Sequence, residues 1–195
     1  MAESKNILYT IGHSNHKIED FINLLKRYGV NCVADVRSAP YSRYCPQFNK
    51  DTIAAALQAA GVAYVFLGKE LGGRPDDPAC YEDGCLNFRR VAERQEFKRG
   101  IERLLADIPK HHIALMCAEK DPLECHRTIL VSRHLKKHSI QIKHILADGS
   151  IEEHSETERR LVGMFKPESI LFESTETIEE AYDQQAKKMS RRVKK

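Results

Sequence analysis

Short apolar runs alternate with amphipathic segments along most of this chain, and that alternation restricts its fold more than any other feature. Residues 7–11 (ILYTI) read as a buried strand that breaks at Gly12. Ile18, Phe21, Ile22, Leu25 and Tyr28 then recur at helical spacing, and Gly29 stands where a helix stops. Residues 31–36 (NCVADV) form a second strand, Asp51–Ala60 an Ala-rich helix ended by Gly61, and residues 62–66 (VAYVF) a third strand. A Gly/Pro-rich loop follows at 67–87, and loops of that length are usually functional or disordered. Phe88–Ile108 is helical with a break expected near Gly100, 112–117 (HIALMC) is a strand, 126–137 a helix and 140–146 (IQIKHIL) a strand. Strands joined by helical crossovers pair in parallel, with helices on both faces. The expected fold is therefore α/β: an open, mainly parallel sheet of about five strands, a Rossmann-like three-layer sandwich. Beyond residue 150 the pattern gives helices at 152–162 and Thr177–Met189 but no clear further strand. The chain divides accordingly into an α/β core (1–150), an extension packed on it (151–176), and a terminal helix with a basic, partly disordered tail (177–195).

Composition narrows the class. With 42% hydrophobic and 30% charged residues, the 195-residue chain can bury a core and is not of disordered type. Its apolar runs, such as IALMCA at 113–118, are far too short to span a bilayer, so no membrane partner is expected. The start, MAESKNILYT, lacks the basic region, long apolar stretch and cleavage site of a signal peptide. Six cysteines in a strand-rich chain of this length do not resemble a secreted disulfide scaffold, which points to reduced thiols in the cytoplasm. Charge is uneven: residues 151–185 hold ten acids against three bases, whereas AKKMSRRVKK at 186–195 holds six positive charges and no acid. Such a tail can contact nucleic acid, or it can be a solvated terminus.

Open α/β sheets bind ligands beyond the carboxyl ends of their strands. Polar clusters follow each strand there: Gly12-His13-Ser14, Asp35-Val36-Arg37-Ser38, Gly72-Gly73-Arg74, Cys117-Ala118-Glu119 and Asp148-Gly149. Four motifs, YTIGHSN (9–15), VADVRSAPYSRYCPQFN (33–49), LGKELGGRP (67–75) and MCAEKDPLECHR (116–127), together resemble the domain of unknown function 488 (DUF488) family, over about residues 7–150. The resemblance implies an α/β fold and marks the motif residues as the site. It implies no reaction.

The residues themselves permit several chemistries. Strand, Cys-loop, Arg, helix is the plan of rhodaneses and cysteine phosphatases, whose loops aim backbone N–H groups at an anion. Here nine residues separate Cys117 from Arg127, and Glu119, Asp121 and Glu124 lie between them, which suits a bare anion cradle poorly. The carboxylates fit better as catalytic groups. Glu119 would be general acid/base or nucleophile, His126 would hold or transfer protons, and Asp35 would orient a base or a substrate hydroxyl. Cys117 and Cys125 remain as nucleophiles, as a reversible pair, or as core thiols. Arg37, Arg43, Arg74 and Arg127, with His13, Ser14, Ser38, Asn49 and Gly73 in the same motif loops, would bind a small phosphorylated or nucleotide-like ligand. Tyr41, Tyr44 and Phe48 could stack a base. The plainer alternative is that Arg37 and Arg127 pair with Asp35 and Glu119 and only fix the loops. A metal would take Cys117, Cys125 and His126. Their spacing is not a usual zinc pattern, and adjacent side chains are expected to diverge, so no cofactor is predicted. These expectations favour an enzyme, with a non-catalytic nucleic-acid accessory and thiol chemistry as alternatives.

Overall fold

The computed structural model describes residues 6–167 and 174–191. The first half alternates as expected: β1 (Ile7–Gly12), α1 (Ile18–Arg27), β2 (Cys32–Asp35), α2 (Lys50–Ala59) and β3 (Ala63–Phe66). The loop at 67–87 is ordered into a short helix α3 (Gly68–Leu71) and a small hairpin of β4 (Tyr81–Glu82) and β5 (Cys85–Leu86). Next come α4 (Phe88–Glu93), α5 (Gln95–Asp107) and β6 (Ile113–Cys117). A π-helical segment, Arg127–Ser132, then runs into α6 (Arg133–Leu135). The chain continues through β7 (Gln141–Ile145), β8 (Ile151–Glu153), α7 (His154–Phe165) and α8 (Thr175–Arg191). Of the basic tail, residues 192–195 lie outside the described residues.

The main sheet has the order β3-β2-β6-β1-β7-β8; five strands are parallel and β8 pairs antiparallel with β7. Period-two alternation of side chains divides the core. From β6, Ile113, Leu115 and Cys117 face one core, with Phe97 and Leu104 of α5, Ile129 and Leu130 of the π-helical segment, and Tyr182 of α8. Ala114 and Met116 face the other, with Phe21 and Leu25 of α1 and Ile53 and Leu57 of α2. Helices therefore cover both faces. No helix among the described residues is long and apolar enough to cross a membrane.

Two local expectations need correction. The break in the Phe88–Ile108 stretch falls at Arg94, whose backbone is extended (φ −62°, ψ 143°), and not at Gly100. Gly100 lies inside α5 because a Cβ there would come within 2.7 Å of the Leu71 side chain; its smallness lets α5 approach α3. After residue 150 there is a strand, β8. Three residues are too few to display alternation, and a tight turn with Gly149 at φ +82° folds them back onto β7.

Adjacent strands β1 and β6 send their chains to opposite faces, β1 into α1 and β6 into the π-helical segment. Such a divergence opens a crevice at the carboxyl edge. Backbone bonds tie the strand ends around it: His13 N–H donates to the Cys117 carbonyl (2.8 Å), Ser14 N–H to that of Ala118 (2.9 Å) and Val36 N–H to that of Met116 (3.1 Å).

A buried polar chain joins this edge to α7 and α8. Arg127 Nε donates to Thr10 Oγ1 (3.3 Å), and Thr10 Oγ1 meets His144 Nδ1 at 2.7 Å. His144 Nε2 meets His154 Nδ1 (2.9 Å), His154 Nε2 meets the Tyr182 hydroxyl (3.1 Å), and that hydroxyl donates to Glu158 (2.9 Å). One direction of donation satisfies every member: each imidazole is neutral, accepts at Nδ1 and donates from Nε2. Burial, reinforced by the adjoining His154 ring and by the charges of Arg127 and Arg160, holds the His144 pKa well below its ordinary value. Burial also lowers His154 to about 4, with Glu158 opposing and Lys136 assisting. His154 and Glu158, 3.7 Å apart, are therefore not an ion pair at neutral pH.

Between pH 6.5 and about 4 the unfolded chain binds a proton at His154 that the folded chain refuses, so stability rises with pH across that window. Moving from pH 7.5 to 5 is expected to cost on the order of 2 kcal/mol from this group alone. Urea unfolding of the wild type and of His154→Gln at both pH values checks it: the loss should be smaller in the variant, and equal losses would contradict the assignment.

Candidate functional site

The loop after β6 determines the site. Asp121 is the turn residue its place before Pro122 implies: its carboxylate accepts from Leu123 N–H (2.9 Å) and starts a single 3-10 turn, Pro122–Glu124. Cys125 then has extended backbone (φ −130°, ψ 138°) and His126 helical backbone (φ −62°, ψ −22°). This change of conformation brings two adjacent side chains to one place, against the expectation that they diverge. The result is a compact group. Cys117 Sγ and Cys125 Sγ each donate to Glu119 Oε2, at 2.9 and 3.0 Å. His126 Nδ1 lies 3.7 Å from Cys117 Sγ and 4.0 Å from Cys125 Sγ.

The His126 tautomer follows from its other nitrogen. Nε2 sits 2.8 Å from the Val36 carbonyl, which can only accept, so Nε2 carries a proton and donates. In the neutral ring the Nδ1 lone pair then points at the two thiols. Gly73 sets the ring's position, since a Cβ there would lie 2.7 Å from His126 Cγ.

Electrostatics differentiates the four groups. Burial pushes the Cys117 thiol well up, and the neighbouring Cys125 and Glu119 add to it. Burial would raise Cys125 too, but the hydrogen bond with Cys117, the Arg127 charge and His126 together carry it well below the usual thiol range. Glu119 is raised by burial and then by the Cys125 charge. Burial would lower His126, but Cys125, Glu119 and the Val36 carbonyl outweigh it and raise its pKa.

The group floors a cleft of about 320 Å³, lined by Cys117, Glu119 and His126 together with Arg37, Ser38 and Arg74. Leu86, Phe88, Met189 and Ser190 also line it. Cys125 is fully buried and is not among the lining residues. This matters for thiol chemistry. The thiol that faces the cleft is the one held protonated, and the thiol with the low pKa lies behind it.

The remaining candidates separate into structural supports and rim. Asp35 is buried apart from the floor group; it accepts from Arg37 N (3.0 Å), Nε (2.9 Å) and Nη2 (2.7 Å), and from the Tyr64 hydroxyl (2.7 Å). Arg37 thus makes the plain pairing with Asp35, and Arg37 Nη1 also donates to His13 Nε2 (3.1 Å). His13 donates from Nδ1 to the Ser14 carbonyl (2.9 Å) and stacks on Phe48 (4.3 Å); burial and Arg37 lower its pKa to about 4. Ser14 sits in a left-handed turn (φ +47°) ahead of α1. Asn49 Oδ1 accepts from Ser42 N–H (2.7 Å) and Ser38 Oγ from Arg74 N–H (2.8 Å), so both shape loops. Arg43 and Arg74 are exposed, and of these two Arg74 lines the cleft.

Arg127 differs from both readings of it. Its side chain is fully buried and reaches the backbone carbonyls of Glu119 (2.7 Å) and Lys120 (3.3 Å) and Thr10 Oγ1, not the Glu119 carboxylate and not the cleft. Its amide donates to Cys125 Sγ (3.4 Å). Sequence reasoning missed the wall from α8, which no motif marks, and the Thr10–His144 support. Gly12 is the signal that was available: a Cβ there would fall 1.9 Å from the Glu119 carbonyl oxygen.

Comparison with known proteins gives a family and nothing finer. The model of a family described as domain of unknown function DUF488 matches residues 17–134. That span holds three of the four motifs; YTIGHSN precedes it. No curated protein matches the chain, and no solved structure does.

Overpacking at Gly12 should disrupt the loop that carries Glu119. Gly12→Ala is expected to cost about 3 kcal/mol or more in urea unfolding. Gly61→Ala, where only the positive φ opposes a side chain, should cost about 1 kcal/mol. Equal costs would show that the Gly12–Glu119 contact is not a constraint.

Proposed function

Since the chain belongs to the DUF488 family, whose description names no reaction, we propose that its cleft is the active site of a cytoplasmic enzyme acting on a small phosphorylated or nucleotide-like substrate. One observation carries the reading: four reactive side chains converge at the crossover point of a parallel sheet, three of them lining a cleft and Cys125 behind them. The cleft volume suits a small ligand. Arg74 at the rim, with the Ser38 loop that its backbone engages, supplies the charge and donors for an anionic group. Arg37 adds positive potential while its hydrogen bonds go to Asp35 and His13. Glu119 is the carboxylate on the floor and is the residue proposed to move a proton at the reacting centre. His126, anchored through Nε2, and the two cysteines frame it. Asp35 acts by positioning Arg37. Six free thiols accord with a reducing compartment.

A second reading has its own support. Tyr44 (92% exposed) and Tyr41 (60%) flank exposed Arg43 on one loop, an arrangement able to stack and hold a nucleic acid strand. Phe48 is buried against His13 and takes no part.

A panel of phosphomonoesters and nucleotides, screened with the full chain, separates these readings. For a substrate found in this way, Glu119→Gln should lower kcat at least about 100-fold. Arg74→Ala should raise KM about tenfold with kcat little changed. Undiminished turnover in both variants would refute the active-site assignment. If the protein is instead a nucleic-acid accessory, binding should fall steeply with salt and with Tyr44→Ala, and should be untouched by Glu119→Gln.

A further inference from the structure

Cys117 Sγ, Cys125 Sγ, His126 Nδ1 and a Glu119 carboxylate oxygen all lie within 4.8 Å of one another. Among the described residues this is the one place where three or more Cys, His, Asp or Glu side chains converge in that way. We propose that these residues bind one divalent transition-metal ion of the zinc class. The two thiolates and His126 are its fixed ligands, and Glu119, on the side of the cleft, is the exchangeable fourth ligand, which water or substrate displaces when Glu119 acts on a proton.

The donor set selects the ion. Two thiolates and an imidazole are soft to borderline ligands, which suit Zn²⁺ and neighbouring transition metals and do not suit Mg²⁺ or Ca²⁺. Separations fit as well. With Zn–S near 2.3 Å and Zn–N near 2.0 Å, neighbouring S and N ligands of a tetrahedron stand about 3.5 Å apart. The two Sγ–Nδ1 distances here are 3.7 and 4.0 Å. The carboxylate oxygen sits closer to the sulfurs, at hydrogen-bond distance. Binding sends to solvent any proton that the two sulfurs still carry and moves the Glu119 side chain outward by about half an ångström.

The surroundings are those of a ligand set. Metal-bound imidazoles donate their second nitrogen to a carbonyl or carboxylate, and His126 Nε2 does so to Val36. The Arg127 amide donates to Cys125 Sγ. Two thiolates, a carboxylate and Zn²⁺ leave one negative charge, and the buried Arg127 guanidinium stands beside the loop to offset it. Gly73 and Gly12 remove the two side chains that would displace His126 and the Glu119 backbone. Cys125, buried and not among the residues that line the cleft, gains a role that a nucleophile reading does not give it.

Metal content is measured without turnover, so this inference and the enzymatic reading stand or fall separately, although they share a cleft floor. The full chain, reduced and stripped with a chelator, is titrated with Co²⁺ and then with Zn²⁺. Expected are one equivalent of Co²⁺, an intense thiolate-to-cobalt charge-transfer band, tetrahedral d–d bands, and loss of all of them when Zn²⁺ displaces Co²⁺. Cys125→Ser should abolish the charge-transfer band or weaken binding at least about 100-fold, while Cys85→Ser, in the β4–β5 hairpin, should leave both unchanged. Absence of the band in the reduced wild type overturns the proposal, as does a Cys125→Ser variant that binds like the wild type. If Cys125→Ser fails to fold, the wild-type titration decides by itself.

Discussion

A buried guanidinium that has no counter-carboxylate among the described residues is the constraint on which the carboxyl edge of this protein depends. Arg127 enters from the first turn after the Cys-loop and uses its side-chain donors on two backbone carbonyls of that loop and on Thr10. Such a charge is costly to bury, so its partners cannot be given up cheaply. It therefore pins residues 119 and 120 over β1 and couples them, through Thr10, to the histidine chain that reaches α7 and α8. The same charge favours anionic sulfur beside it. One residue links loop shape, helix docking and the chemistry of the site.

The parallel sheet does the rest. Because β1 and β6 diverge to opposite faces, the Cys-loop can fold down into the gap between them. The end of β2 then lies close enough for the Val36 carbonyl to orient His126. Glycine at positions 12 and 73 is the condition for this closeness, as each faces an atom nearer than any Cβ tolerates. The site is thus assembled from three strand ends and one helix, and α8 closes its far wall through Met189 and Ser190.

Much of the fold was legible because its signals are local. Apolar runs of four to six residues, helices of ten, and Gly29 and Gly61 at positive φ all declare themselves within a short window. β8 did not, being three residues long, and Gly100 misled because a helix glycine can serve packing as well as breakage. The site was legible as a location: Cys117, Glu119, Cys125 and His126 all lie in one motif. Their mutual arrangement was not, because it depends on one 3-10 turn and one change of backbone angle between adjacent residues. The arginines show the same limit. Arg37 takes its sequence neighbour Asp35, a pairing two residues apart, whereas Arg127 binds carbonyls that only the folded loop presents. His144 and Tyr182 carry no motif at all, Thr10 stands in one that suggests no such role, and only their three-dimensional order shows that they belong to one chain of bonds.

Anomalous diffraction from crystals of the full chain grown with Zn²⁺, recorded on both sides of the zinc edge, shows whether the four side chains hold a metal. One peak is expected among Cys117, Cys125, His126 and Glu119, with both sulfurs about 2.3 Å from it and His126 Nε2 still bonded to the Val36 carbonyl. No zinc peak at these four side chains in reduced crystals, or a fully occupied zinc peak elsewhere with the four still hydrogen-bonded to one another, would contradict it.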